Sequence, residues 1–163
     1  MEGINKATRL ATWNYSEEGC YHVVFCTHER AHILGEVLHE RAADGSALVA
    51  HTNGGRACCG IIEQIPDLYP NASVDVYVVM PNHVHMLCAI QTTEGEGQRS
   101  LLARIVGFVK SHTTMAMRKT GFTGDVWQRG YYDHIVRDER DYLRIYEYIQ
   151  NNPAKWAEDR FYE

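Results

Sequence analysis

Apolar and β-branched residues come in short runs along this chain, and polar turn-forming residues separate the runs. Tyr21 to Thr27 is one such run, and two more extend from about Ser73 to Met80 and from His83 to Gln91. Ala47 to His51 is a shorter run of the same kind. Because short runs of this composition between turn signals are typical of strands, we predict four strands.

A helical period fits four other segments: a weak pattern from Ile33 to Arg41, a clearer one from Ala57 to Ile65, one beginning at a Ser100 cap, and one from Asp138 to Asn152. The segment from Trp127 to Val136 is predicted to be irregular or extended. The third helix has apolar positions at helical spacing, namely Leu101, Leu102, Ile105, Phe108 and Val109. Predicted turns, loops and stops are Asn53-Gly54-Gly55, Pro66, Pro70, Thr92 to Gly97, Gly121, Gly124 and Pro153.

This order of strands and helices, with a tight connection at Pro81-Asn82, favours an α+β sandwich in which helices pack on one face of an antiparallel sheet. The length of 163 residues suits one domain over residues 1–163. Within it we predict an N-terminal arm over residues 1–20 and a final helix over residues 138–152.

Composition places the chain among ordinary globular proteins, with 45% hydrophobic and 23% charged residues. No apolar stretch is long enough to cross a bilayer and no signal-peptide core is present, so we expect a cytoplasmic protein without a membrane partner. The five cysteines lack Cys-x-x-Cys spacing, which argues against a disulfide framework or a zinc ribbon.

Charge is unevenly distributed along the chain. The formal net charge is −5, which argues against a non-specific nucleic-acid coat. Between Gln98 and Gly124, however, all five charged residues are basic. The cluster either faces phosphate groups or is only the solvated face of a helix. Its members are Arg99, Arg104, Lys110, Arg118 and Lys119.

Two histidines stand at the start of a predicted central strand. Because alternate residues of a strand project from the same face, His83 and His85 point the same way. A pair of imidazoles on one rigid strand is a candidate divalent-metal site. The alternative is that both are ordinary polar residues on an open sheet face.

The final predicted helix offers the second half of a site. Tyr148 and Asn152 are four residues apart and therefore share a helix face. Pro153 ends the helix, and its last carbonyl groups add negative potential that favours a nearby cation. The alternative is that Tyr142, Tyr146 and Tyr148 are packing residues of an amphipathic helix.

Three ordered motifs together resemble a known family. They are Tyr77-Val78-Val79-Met80-Pro81-Asn82-His83-Val84-His85, then Trp127-Gln128-Arg129-Gly130-Tyr131-Tyr132-Asp133-His134, then Tyr148-Ile149-Gln150-Asn151-Asn152-Pro153. This pattern, covering about Tyr21 to Lys155, resembles the single-tyrosine transposases of the HUH superfamily, and among them the REP-associated tyrosine transposases.

The resemblance implies a ferredoxin-like sheet, with His83 and His85 as metal ligands and Asn152 as the third ligand. It also implies Tyr148 as nucleophile, Mg²⁺ or Mn²⁺ as the metal, and cleavage and strand transfer of single-stranded DNA through a 5′-phosphotyrosine. The expected DNA carries a hairpin or palindromic repeat. Active sites built from one chain and from two both occur among such relatives, so a homodimer is compatible with the resemblance.

Two other functions remain open at this point: a non-catalytic nucleic-acid-binding module on the same fold, and a small metal hydrolase that activates water. For DNA contacts, the basic cluster would grip phosphates, while Trp127, Tyr131 or Tyr132 would stack on bases. For Trp127 the sequence favours the other interpretation, a core residue.

Overall fold

A four-stranded antiparallel sheet forms the centre of the protein. The computed structural model describes residues 19–91 and 97–158, so residues 1–18 of the predicted arm and 92–96 of the predicted loop lie outside the described residues. The sheet has the order β4-β5-β1-β6. Its strands are β1 (Gly19–Cys26), β4 (Ala72–Val79), β5 (His83–Ile90) and β6 (Tyr132–Ile135).

Between β1 and β4 the chain adds a hairpin and two helices. The hairpin strands are β2 (Gly35–Arg41) and β3 (Ala47–His51), which pair only with each other in the described part of the chain. The helices that follow are α1 (Asn53–Glu63) and the short α2 (Ile65–Leu68). Later in the chain come α3 (Gln98–Lys119), α4 (Glu139–Asn151) and a C-terminal 3₁₀ segment (Pro153–Glu158).

The order β1-α1-β4-β5-α3-β6, with β1 and β5 adjacent at the sheet centre, is the split βαβ arrangement of a ferredoxin-like fold. The fold class predicted from the sequence is therefore confirmed. The strands from about Ser73 to Met80 and from His83 to Gln91 are also found, within one or two residues, as is the final helix. Asp138 caps that helix, accepting a hydrogen bond from the backbone N–H of Asp141 (2.8 Å).

Helices cover both faces of the sheet, so the prediction that they lie on one face was wrong. Successive residues of β5 point to opposite faces, and Val84 and Met86 join the core beneath α1 and α3. Leu87, from the other face, packs with Ile145 and Ile149 of α4. Helices α1 and α3, which lie between β1 and β4 and between β5 and β6, share one face of the sheet as the sequence suggested. Helix α4 covers the other face.

Three local predictions need correction. Ile33 to Arg41 is not helical, because Gly35–Arg41 pairs with β3 across a turn in which Gly45 has φ +83°. Gly54 and Gly55 lie in the first turn of α1, which Thr52 caps by accepting a hydrogen bond from the N–H of Gly55. Helix α3 begins at Gln98 with Gly97 as its N-cap, three residues before the predicted Ser100 cap.

The hairpin is fastened to the sheet at the turn between β4 and β5. The N–H of Leu34 donates to the carbonyl of Pro81 (3.0 Å), and the N–H of Thr52 donates to the carbonyl of Leu34 (3.1 Å). Gly55 packs so tightly here that a Cβ would overlap the carbonyl oxygen of Leu34. None of the helices in the described ranges is long and apolar enough to cross a membrane.

Two glycine substitutions in α1 test this docking. Gly55→Ala should lower the free energy of unfolding by about 1–3 kcal/mol, because the added methyl group displaces the Leu34 backbone. Gly60→Ala, in the same helix but facing open space, should raise it by about 0.5–1 kcal/mol through better helix propensity. Urea unfolding measures both, and equal effects of the two substitutions would contradict the tight contact.

Candidate active site

The two histidines lie at the beginning of β5, where the strand is covered on both faces. His83 and His85 point to the face that α4 covers, and both are fully buried. A buried imidazole needs partners for its ring nitrogens, since an unpaired polar group away from water destabilises the fold. The surrounding residues supply those partners.

Asn82 holds His83 from the turn before β5. Its Nδ2 donates to the carbonyl of Arg30 (3.2 Å), which identifies Oδ1 as the atom facing Nδ1 of His83 at 2.8 Å. Because Oδ1 only accepts, Nδ1 of His83 carries the proton and its Nε2 keeps a lone pair. Arg30 reaches this position in a left-handed conformation, φ +55°, that non-glycine residues adopt infrequently.

A chain of hydrogen bonds continues from His83. Its Nε2 lies 3.1 Å from Nε2 of His85, and Nδ1 of His85 lies 3.0 Å from Nε2 of His22. With all rings neutral, the lone pair on His83 requires His85 to donate from Nε2, and His22 then donates to His85 from its own Nε2. Asn82 therefore sets the proton positions of three imidazoles in turn.

Sequence reasoning missed His22, which lies on β1 with its ring edge-on to that of Tyr148 at 6.1 Å. The signal available was a histidine inside a predicted apolar strand. Its position beside the site follows from the pairing of β1 with β5, in which His22 faces Leu87. That pairing joins segments more than sixty residues apart, and local patterns do not encode it.

Helix α4 brings Tyr148 to the histidines. The Tyr148 ring lies edge-on to the His85 ring with centroids 5.4 Å apart, and 42% of the residue is exposed. Tyr148 and Asn152 line one groove of about 670 Å³ along the outer side of α4. We call this the helix groove. It is also lined by Arg140, Leu143, Arg144, Glu147, Asn151, Lys155 and Glu158.

The other tyrosines of α4 have packing roles. Tyr142 is 2% exposed, and its hydroxyl donates to Oδ2 of Asp75 on β4 at 2.7 Å. Tyr146 is half-buried, packs against the α4 core and stacks on Tyr142 at 6.1 Å between centroids. Of these three tyrosines, Tyr148 is the one that combines exposure with contact to the histidine rings.

The residues present fit a divalent cation. Two ligands about 2.1–2.2 Å from an octahedral ion and at right angles to each other are about 3 Å apart, close to the separation of the two Nε2 atoms. Asn152 is buried, and its Oδ1 has no hydrogen-bond partner in the described part of the chain. The described ranges contain no cluster of three or more His, Cys, Asp or Glu arranged to hold a metal. A third protein ligand beside His83 and His85 would therefore be the amide oxygen of Asn152.

The predicted basic cluster lies elsewhere. Helix α3 packs against Val84 and Met86, on the sheet face opposite His83 and His85. Most of its cations contact other parts of the protein. Arg99 pairs with Asp133 at 2.8 Å, Arg104 lies over the Tyr69 ring at 5.7 Å, Arg118 donates to the carbonyl of Phe122 at 3.1 Å, and Lys119 is exposed.

Lys110 is half-buried and donates to the carbonyl groups of Gln128 (2.9 Å) and Gly130. Burial lowers its pKa. These contacts hold the segment that carries the predicted base-stacking residues. Trp127 donates from Nε1 to the carbonyl of Lys110 at 3.0 Å and packs edge-on against Phe25. Tyr131 packs against the same core, whereas Tyr132 is exposed on β6.

The hydrogen-bond chain makes a testable prediction about proton positions. In metal-free protein at a pH where its ring is neutral, His83 should be protonated at Nδ1 and unprotonated at Nε2, because Asn82 Oδ1 accepts. Long-range ¹H–¹⁵N correlation spectra of the imidazole nitrogens measure this directly. Asn82→Ala should release the constraint, and exposed His39 should show averaged tautomers in both proteins. A wild-type His83 protonated at Nε2 would contradict the assignment.

Comparison with known proteins agrees with this architecture. A profile of the family described as "Transposase IS200 like" matches residues 16–152. A Haemophilus influenzae protein of uncharacterised function is 34% identical over 173 residues, covering 96% of this chain and 92% of its own length. A second protein of that organism, provisionally named a REP-associated tyrosine transposase, is 24% identical over 103 residues, covering 57% of this chain and 55% of its own.

Among solved structures, a REP-associated tyrosine transposase bound to a REP hairpin superposes with a TM-score of 0.60. It is 20% identical and covers 84% of this chain and 67% of its own. At that identity the likeness shows the fold alone, and it is the fold built above from β1 to α4. Because the profile matches residues 16–152, most of the sequence, the chain belongs to the IS200-like transposase family.

Proposed function

We propose that this transposase-family chain cleaves single-stranded DNA and transfers the cut strand through a 5′-phosphotyrosine on Tyr148. The observation that carries the proposal is the position of Tyr148, exposed in the helix groove with its ring 5.4 Å from that of His85. The phenol thus lies beside one of two imidazoles whose Nε2 atoms are neighbours. It shares the helix groove with Asn152, whose amide oxygen has no hydrogen-bond partner among the described residues.

The reaction exchanges one phosphoester for another. The Tyr148 oxygen forms a bond to phosphorus as the bond to the 3′ oxygen breaks, and the released 3′ oxygen takes up a proton. Because the phosphotyrosine retains an ester bond, a 3′-hydroxyl can later attack it and restore a DNA phosphodiester without ATP. Tyr148 lies on an exposed helix face, so a phosphodiester can reach it from solvent.

His83, His85 and Asn152 would hold the divalent cation, Mg²⁺ or Mn²⁺. When bound, such an ion withdraws charge from the phosphate oxygens. Asn82 and His22 orient the two imidazoles through the nitrogens that face away from each other, and partners of this kind usually affect metal affinity about 10–100-fold. The last carbonyl groups of α4 add negative potential beside Asn152.

A hairpin-bearing DNA is the substrate that we propose, because the superposing transposase holds a REP hairpin. A non-catalytic DNA-binding module would not require an exposed phenol beside two buried imidazoles. A metal hydrolase using water would cleave DNA without a protein–DNA adduct, and a binding module would give neither product, so the adduct and the cleavage of DNA together separate the three functions.

Removal of one hydroxyl tests the nucleophile. Wild type incubated with Mn²⁺ and single-stranded DNA carrying a hairpin from its own locus should give a covalent adduct that survives a denaturing gel. Tyr148→Phe should give none, because the attacking oxygen is lost. Tyr146→Phe, a half-buried neighbour on the same helix, serves as the matched control and should retain the adduct. An adduct that persists in Tyr148→Phe but disappears in Tyr146→Phe would reassign the nucleophile.

Asn152 is tested through stability. In EDTA, Asn152→Leu should leave the free energy of unfolding unchanged or raise it by up to about 1 kcal/mol, because Oδ1 has no hydrogen-bond partner to lose among the residues that the structure describes. Mn²⁺ should raise the melting temperature of wild type by binding the folded state, and the variant should show a smaller rise. Exposed Asn151→Leu is the control and should respond to Mn²⁺ as wild type does. Equal shifts in all three proteins would remove Asn152 from the ligand set.

A further inference from the structure

A second groove, of about 750 Å³, runs between the β2–β3 hairpin and the C-terminal 3₁₀ segment. We call it the hairpin groove. It lies on the other side of the 3₁₀ segment from the helix groove, since the two grooves share no residue and take alternate parts of that segment. The residues that matter below are His32, His39, Arg41, Ala154 and Trp156.

Trp156 connects this groove to the candidate active site. Its ring stacks on that of His83 with centroids 5.9 Å apart and an angle of 25° between the planes. The exposed His32 ring lies 5.4 Å from Trp156 at 60°. Trp156, which lines the hairpin groove, therefore contacts a proposed metal ligand. A DNA strand whose phosphodiester lies at Tyr148 would enter the hairpin groove by crossing the 3₁₀ segment.

Hydrogen bonds to the end of β4 and to the turn after it fix one side of the hairpin groove. Nε2 of His51 lies 2.9 Å from the carbonyl oxygen of Val79, and Leu34 is hydrogen-bonded to both Pro81 and Thr52. Gly55 packs against the Leu34 carbonyl from below. These bonds fix the position of the hairpin relative to the sheet, so a ligand would meet a preformed site.

The lining suits unpaired nucleotides. Aromatic rings at Trp156 and His32 offer surfaces for a base, and the lining contains one arginine, three histidines and a single acid, Glu36. With histidines counted as neutral, the charges of Arg41 and Glu36 balance in this lining, whereas the chain as a whole has a net charge of −5. A volume of this size is in the range of ligand sites, about 300–1,000 Å³, and suits one or two nucleotides rather than a duplex.

We propose that the hairpin groove binds the unpaired nucleotides next to the phosphodiester that Tyr148 attacks, with one base against the Trp156 and His32 rings. The identity of the ligand rests on the proposed function. The location rests on the contact between Trp156 and His83 and on the groove lining. The basic helix α3, on the opposite sheet face, is not required for this binding.

Two substitutions of the same kind separate these surfaces. Ala154 is exposed in the hairpin groove and Ala103 is exposed on α3 beside Arg104. Binding of a fluorescent oligothymidylate of about 8 nucleotides, followed by anisotropy in EDTA, avoids any contribution from a metal. Ala154→Glu should weaken binding about tenfold by placing a carboxylate beside the DNA phosphates, and Ala103→Glu should stay within about twofold of wild type.

Three further variants examine the groove lining. Trp156→Ala should weaken binding at least about fivefold, whereas Trp156→Phe should recover most of the affinity because a ring remains. Arg41→Ala, an exposed change far from His83 in sequence, should weaken binding about threefold and reduce its salt dependence. Thermal melting in EDTA should show Ala154→Glu and Arg41→Ala folded as wild type.

Wild-type affinity in both Ala154→Glu and Arg41→Ala would overturn the proposal, and so would a greater loss in Ala103→Glu than in Ala154→Glu. The adduct assay on Tyr148 is independent of these measurements. Adduct formation without any effect of the groove variants would refute the hairpin groove and leave the proposed function intact. Groove-dependent binding without an adduct would refute the proposed chemistry and leave the groove.

Discussion

Burial of polar side chains in the central strand is the constraint on which the rest of the site depends. Asn82, His83 and His85 lie where both sheet faces are covered, so each must find hydrogen-bond partners inside the protein. They find them in one another, in the Arg30 carbonyl and in His22. The imidazole geometry is therefore a condition of folding rather than a later adjustment of a surface.

The two sheet faces have separate tasks. Helices α1 and α3 close one face over an apolar core, completing the ferredoxin-like unit. Helix α4 follows the last strand and closes the other face, placing the Tyr148 ring beside that of His85, with Asn152 as the C-cap of the helix. The candidate site combines side chains of β5 with Tyr148 of α4, so it forms only when α4 has packed on the sheet. The proposed chemistry therefore depends on the completed fold. The IS200-like family match extends over the ferredoxin-like unit and over α4.

Local sequence patterns predicted the parts of the site, because strand alternation aligns His83 with His85 and a four-residue spacing aligns Tyr148 with Asn152. The prediction of a helix from Ile33 to Arg41 was wrong, although Asp44-Gly45 is a hairpin turn signal. Gly35–Arg41 pairs beside a bulge and is only partly buried, so its sequence lacks a clear strand alternation. The position of His22 beside the site and the sheet face on which α3 packs depend on contacts between distant segments. An amphipathic period shows that a helix has an apolar face, and leaves open which side of the sheet receives it.

The hydrogen bond from Tyr142 to Asp75 also affects Tyr148, which lies on the same helix. Each residue along a helix advances the side-chain direction by about 100°, so a slip of one position would turn Tyr148 away from the His85 ring. Tyr142 lies six residues earlier, and the bond from its hydroxyl to Asp75 on β4 fixes the rotation of α4 about its axis. By fixing the rotation of the helix, Tyr142 sets the direction in which Tyr148, the proposed nucleophile, points.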